Sequence, residues 1–162
     1  MQLEDLNALD ADAAARALQR CCGSTRWARE MTAARPFASA EAMTAKADAI
    51  WASLDPADWL EAFASHPRIG ERSPSAWASE EQTQALTAPE AARARLAHAN
   101  REYEARFGYI FIVCATGKGA AEILGLLERR LTNEPAAELT VAADEQRKIT
   151  RLRLARLLEE NR

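Results

Sequence analysis

The chain has 162 residues, 48% of them hydrophobic and 28% charged, with six Gly and six Pro. That length buries a core without disulfide or metal staples, and the composition excludes the disordered and fibrous classes. A net charge of −3 offers no clustered Lys and Arg for phosphate contacts, which excludes a nucleic-acid binder.

In chain order, Met1-Gln2-Leu3-Glu4-Asp5 lacks the basic and apolar regions of a signal peptide, and no apolar run approaches the ~20 residues of a membrane span, so no membrane partner is expected. Asp10 caps a helix over 11–22 closed by Gly23, Ser24 caps one over 25–34, and Ser39 caps one running to 53. Asp55-Pro56 places a cap before Pro at the first helical position and starts a short helix through Phe63. Pro67, Gly70 and Pro74 make 65–75 a loop, and a short helix near Ser79 carries Glu81 and Gln82.

A helix over 89–106 ends at Phe107-Gly108. The apolar run Tyr109 to Cys114 is strand-like in propensity, but no second run exists to pair with it, so it reads as a buried connector or helix start. Helices over 119–131 and 136–159 complete the chain. There is no repeat, low-complexity segment or linker, and the expectation is all-α, one domain over 1–162, a compact helical bundle of about seven to nine helices.

Cys21, Cys22 and Cys114 form no even disulfide framework and no CxxC spacing, which points to buried small hydrophobes in a cytoplasmic protein. Ala115-Thr116-Gly117-Lys118-Gly119 is not a phosphate loop: the required preceding Gly and following Ser or Thr are missing, although a helix N-terminus there could hold a polar group. Nucleophile-elbow and HExxH signatures are absent. His98, inside a helix, is read as a surface or packing residue without a ligand partner at i±4.

Ser65-His66-Pro67-Arg68-Ile69-Gly70-Glu71 concentrates the chemistry. An imidazole exchanges protons near neutral pH, and Pro67 removes a donor and stiffens the loop, within reach of Glu80 and Glu81. A lone histidine at a helix end also serves as a cap, so residue types alone leave both roles open. In the last helix, Arg153 has Ile149 at i−4 and Leu157 at i+4, whereas Arg151 has Arg147 and Lys148 behind it. Arg153 therefore faces the apolar stripe and Arg151 water. A guanidinium aimed at a core needs an anion, either a substrate group or an internal Glu.

His66-Pro67-Arg68-Ile69-Gly70, Glu81-Gln82, Asn100 to Phe111, Ile112 to Gly117 and Glu145 to Leu154 occur in an order and spacing that resemble the OHCU decarboxylases of purine breakdown, over roughly residues 20–158. Those enzymes convert 2-oxo-4-hydroxy-4-carboxy-5-ureidoimidazoline to (S)-allantoin and carbon dioxide. The resemblance implies that His66 and Glu81 do the proton work. It implies that Gln82 pairs donor and acceptor with a ring or ureido amide, that Pro67 and the segment Phe111, Ile112, Val113, Cys114 and Ala115 shape the pocket and lend backbone groups, and that Arg153 holds an anionic or carbonyl oxygen. The substrate's ring C=N can take up the electron pair, so no cofactor and no metal is expected. The partner is a small ureidoimidazoline, with a homodimer left open.

One departure stands out. Relatives commonly carry Ser three positions before the catalytic Glu, where this chain has Ala78, with Ser79 next to it. The competing readings are a helical interaction module without catalysis, which gives no reason for an internal Arg and a Pro-flanked His, and a lyase or hydrolase of another ureide.

Overall fold

The structure is a computed structural model that describes residues 1–71 and 75–160. Among the described residues there are ten helices and no strand: α1 (Leu3–Ala8), α2 (Ala11–Gln19), α3 (Thr25–Ala33), α4 (Ala40–Ser53), α5 (Pro56–Ala64), α6 (Ala76–Glu81), α7 (Thr83–Leu86), α8 (Glu90–Phe107), α9 (Ala120–Arg130) and α10 (Pro135–Glu159). The all-α expectation holds. The helix count exceeds it because α1 forms at the start, and because Gln82, at φ −105° and ψ 13°, leaves the helical region and separates α6 from α7. Pro74, part of the expected loop, lies outside the described residues. No helix among the described residues is long and apolar enough to cross a membrane.

The helix starts follow local chemistry. Asp10 Oδ1 accepts from Ala13 N at 2.8 Å, Ser24 Oγ from Trp27 N at 3.2 Å and Ser39 Oγ from Ala42 N at 3.1 Å, each satisfying an amide that the first turn leaves without a partner. The cap of α6 is Ser75, whose Oγ accepts from Ala78 N, rather than Ser79. Helix α8 stops at Gly108, whose φ of +83° suits glycine, with its N–H on Glu104 O at 2.9 Å. Helix α2 ends at Gln19, three residues early, and Cys21 and Cys22 follow it in a turn bonded back to Leu18 O.

The described residues group into two compact units, residues 1–62 with 146–160, and residues 63–71 with 75–145; the divisions fall inside α5 and α10. In the first, α3 packs on α2 and α4, and Leu18, Trp27, Met31 and Met43 are buried, with Trp27 Nε1 donating to Ala47 O at 3.2 Å. Cys21 and Cys22 lie wholly inside this unit, as expected, whereas Cys114 of the second unit is only half-buried. In the second unit, α8 packs on α9 around a core of Leu96, Tyr103, Phe111, Val113, Ile123 and Leu127. Residues 109–119 run between those helices without strand pairing, so the apolar run is a buried connector.

Candidate active site

The loop that carries His66 begins where α5 ends. His66 N donates to Phe63 O at 3.2 Å, and both His66 and Pro67 are half-buried. Beyond them nearly every polar group of the loop is held. Arg68 forks onto Glu104, with Nε 3.0 Å from each carboxylate oxygen and Nη2 2.9 Å from Oε1. Ile69 inserts into the core while its carbonyl accepts from Asn100 Nδ2 at 3.0 Å. Gly70 adopts φ +90°, where a side chain is strained, and there its N–H donates to Gln82 Oε1 at 3.1 Å and its carbonyl accepts from Arg93 Nη2 at 3.4 Å. Asn100 and Glu104, one turn apart on α8, thus serve the loop.

Glu81 is the last residue of α6 and half-buried, and Gln82 is buried behind it. The Gly70 N–H takes one of the two lone pairs of the Gln82 carbonyl oxygen, which ties Gln82 to the loop. Ala78 is buried and Ser79 half-buried.

The connector passes the same region. Phe111, Ile112, Val113 and Ala115 are buried, and Cys114 is half-buried. Cys114 N donates to Glu145 Oε1 at 3.3 Å, and its carbonyl accepts from Lys118 Nζ at 2.8 Å. Burial raises the Cys114 thiol above its ordinary value; Lys118 opposes that, while the nearby carboxylates of Glu145 and Glu81 add to it. Glu81 therefore lies in the field of the connector. Gly117, at φ +77°, turns the chain with Lys118 N on Ala115 O at 2.9 Å, so the Gly-Lys-Gly run shapes the connector's exit into α9.

His66, Pro67, Glu81, Gln82 and Phe111 to Ala115 all belong to the second unit. Arg153 belongs to the other. There it is 8% exposed on α10, with Nη1 3.4 Å from Arg20 O, so its inward register is as expected. Arg151 is exposed but not merely solvated: it forks onto Asp48, with Nε 3.0 and 3.1 Å from the two oxygens. His98 is exposed, and its Nε2 lies 3.4 Å from Glu102 Oε1 at i+4, a partner the sequence reading passed over. No group of three His, Cys, Asp or Glu able to hold a metal occurs among the described residues.

Sequence reasoning missed a buried ionic network behind the connector. Glu138 Oε1 accepts from Tyr103 Oη at 2.5 Å and from Arg130 Nε at 2.8 Å, and Oε2 accepts from Asn133 Nδ2 at 3.0 Å. Arg130 Nη2 is 2.6 Å from the same Oε1 but out of line for a hydrogen bond, while Nη1 donates to Ile112 O at 2.6 Å. Burial, then the bond to Glu138, push the Tyr103 phenol far above its ordinary value, so it stays a donor. The available signal was the one used for Arg153: Arg130 has Leu127 at i−3 and Ile123 at i−7 on an apolar stripe.

A profile of the OHCU decarboxylase family matches residues 7–155. The chain belongs to the OHCU decarboxylase family. It is 41% identical over 148 residues to the uric acid degradation bifunctional protein TTL of Arabidopsis thaliana, covering 86% of this chain and 46% of that protein. It is 36% identical over 132 residues to the 2-oxo-4-hydroxy-4-carboxy-5-ureidoimidazoline decarboxylase of Amia calva, covering 77% of this chain and 75% of that one. The chain thus spans about half the length of the first and three-quarters of the second. A crystal structure of an OHCU decarboxylase in the presence of (S)-allantoin is similar at a TM-score of 0.80 and 40% identity, over 88% of this chain and 96% of that one.

Proposed function

We propose that this chain decarboxylates 2-oxo-4-hydroxy-4-carboxy-5-ureidoimidazoline to (S)-allantoin and carbon dioxide. The observation that carries the reading is the family match across residues 7–155, together with the two family motifs that the fold ties to each other through Gly70 N–H and Gln82 Oε1. One profile running through both compact units also supports a single functional domain over 1–162, and three free thiols support a cytoplasmic protein.

The carboxylate leaves from the ring carbon that also bears the hydroxyl. The electron pair of the broken bond becomes a ring C=C as the neighbouring C=N pair moves onto nitrogen, which takes a proton. The resulting enol loses its hydroxyl proton while the adjacent carbon accepts one from a single face, which sets the S configuration. We assign His66 and Glu81 to these proton movements, because a stiff half-buried imidazole and a half-buried carboxylate are the groups suited to general acid–base work. Gln82 Nε2 would donate to a substrate carbonyl, and the connector's peptide groups would pair with ring or ureido amides. Arg153 would hold an anionic oxygen with its planar fork.

The test generates the labile substrate from urate in situ and follows its ultraviolet decay and the optical activity of the product. Accelerated decay with optically active allantoin is expected. A spontaneous rate and racemic product would overturn the assignment in favour of a binding module or another ureide.

A further inference from the structure

Arg130 and Glu138 form a charge pair that the reaction does not use. Arg130 is 8% exposed and Glu138 is fully buried. Burying such a pair is expensive, and well-packed apolar residues of similar volume commonly serve stability as well or better. What apolar residues cannot do is what Arg130 does with its remaining arm. Its guanidinium carbon sits 4.4 Å from the Phe111 ring centroid, and Nη1 donates to Ile112 O at 2.6 Å, so one planar group grips a side chain and a carbonyl of the connector. Glu138, Tyr103 and Asn133 fix that plane in turn.

The consequence follows from peptide geometry. In a trans peptide the C=O of residue 112 and the N–H of residue 113 point opposite ways, and the only cis bond among the described residues is Arg35–Pro36. Pinning Ile112 O to Arg130 therefore turns Val113 N–H away from the network. Glu145, by taking Cys114 N–H, likewise turns Val113 C=O away from itself. Among the described residues neither Val113 group meets a protein partner, although Val113 is 4% exposed. A buried donor and acceptor left open in this way are costly unless a ligand completes them.

We infer that Arg130, locked by Glu138 and Tyr103, is a positioning residue of the active site that sets the Ile112–Val113 peptide plane so that Val113 can meet the substrate. The inference rests on the reading of Phe111 to Ala115 as pocket-forming.

Two variants test it. The triple variant Tyr103→Phe, Arg130→Met, Glu138→Leu removes the network without leaving the phenol or either charge unpaired. Arg130→Lys keeps the charge for Glu138 but has no second planar arm for Ile112 O. For each, kcat, KM, the affinity for (S)-allantoin and the melting temperature are measured beside the wild type. Expected are a folded protein, a loss of roughly tenfold to hundredfold in kcat/KM, and a parallel loss of (S)-allantoin affinity. A folded variant of either kind with wild-type kcat/KM and product affinity overturns the inference. So does activity that falls only in proportion to the folded fraction. If the triple variant does not fold, Arg130→Lys decides alone by the same criteria. A wild-type chain that neither accelerates substrate decay nor binds (S)-allantoin overturns the proposed function and this inference with it, whereas an active wild type with unaffected variants removes the inference alone.

Discussion

At His66 the backbone N–H is bonded to Phe63 O and Pro67 fixes the chain beyond, so the imidazole is presented from a stiff turn. If it moves a proton in the transition state, His66→Asn should fold normally and lower turnover by roughly 10²–10⁴; steady-state kinetics beside a circular dichroism melt is the check, and near-wild-type turnover would remove His66 from the mechanism. Arg153 and Arg151, two of the four arginines of α10, test the proposed binding role against surface pairing. Arg153 is buried and Arg151 is 48% exposed in its pair with Asp48. Arg153→Lys keeps the charge, loses the fork and should lower kcat/KM. Arg151→Ala should leave kcat/KM unchanged and cost at most about 1 kcal/mol, as exposed ion pairs do. The reverse pattern would move the binding role to the outer face of α10.

At the scale of elements, the 65–71 loop depends on Gly70. Its φ of +90° brings its N–H onto Gln82 Oε1 and its carbonyl toward Arg93. A Cβ there would meet no neighbouring atom within 4 Å, so the cost of Gly70→Ala is backbone strain alone, roughly 1–3 kcal/mol. Because relief of that strain breaks the tie to Gln82, the variant should lose more activity than stability. Urea midpoints measured with kcat/KM decide the point: lost stability with full activity would show that the loop's geometry is irrelevant to the site.

For the molecule as a whole, the two wholly buried thiols make alkaline stability a measurable property. Burial pushes Cys21 up to about 12 and Cys22 to about 11, from an ordinary 9.0. Above pH 9 the unfolded chain releases these protons while the folded chain keeps them, so the folded state binds more protons and stability falls as pH rises. The contribution is complete below pH 9 and is lost on the way to about pH 12, with a slope of up to about 1.4 kcal/mol per pH unit for each thiol. Cys21→Ala with Cys22→Ala should flatten the decline in urea midpoint between pH 9 and 11. An unchanged slope would mean that other groups govern it.

Helix boundaries were legible at Asp10, Ser24, Ser39 and Gly108 because capping is settled within three or four residues, by one side chain and one amide or one positive φ. The inward register of Arg153 was legible for the same reason, since helical spacing alone decides which face a residue shares with Ile149 and Leu157. Other features depend on groups far apart in the chain. Gln82 gives its oxygen to Gly70, and Arg130 reaches back to Ile112 while Tyr103 meets Glu138. Such pairs obey no period and follow no composition. They exist only where packing brings a donor and an acceptor together away from water, and there leaving either unpaired would cost more than the bond itself contributes.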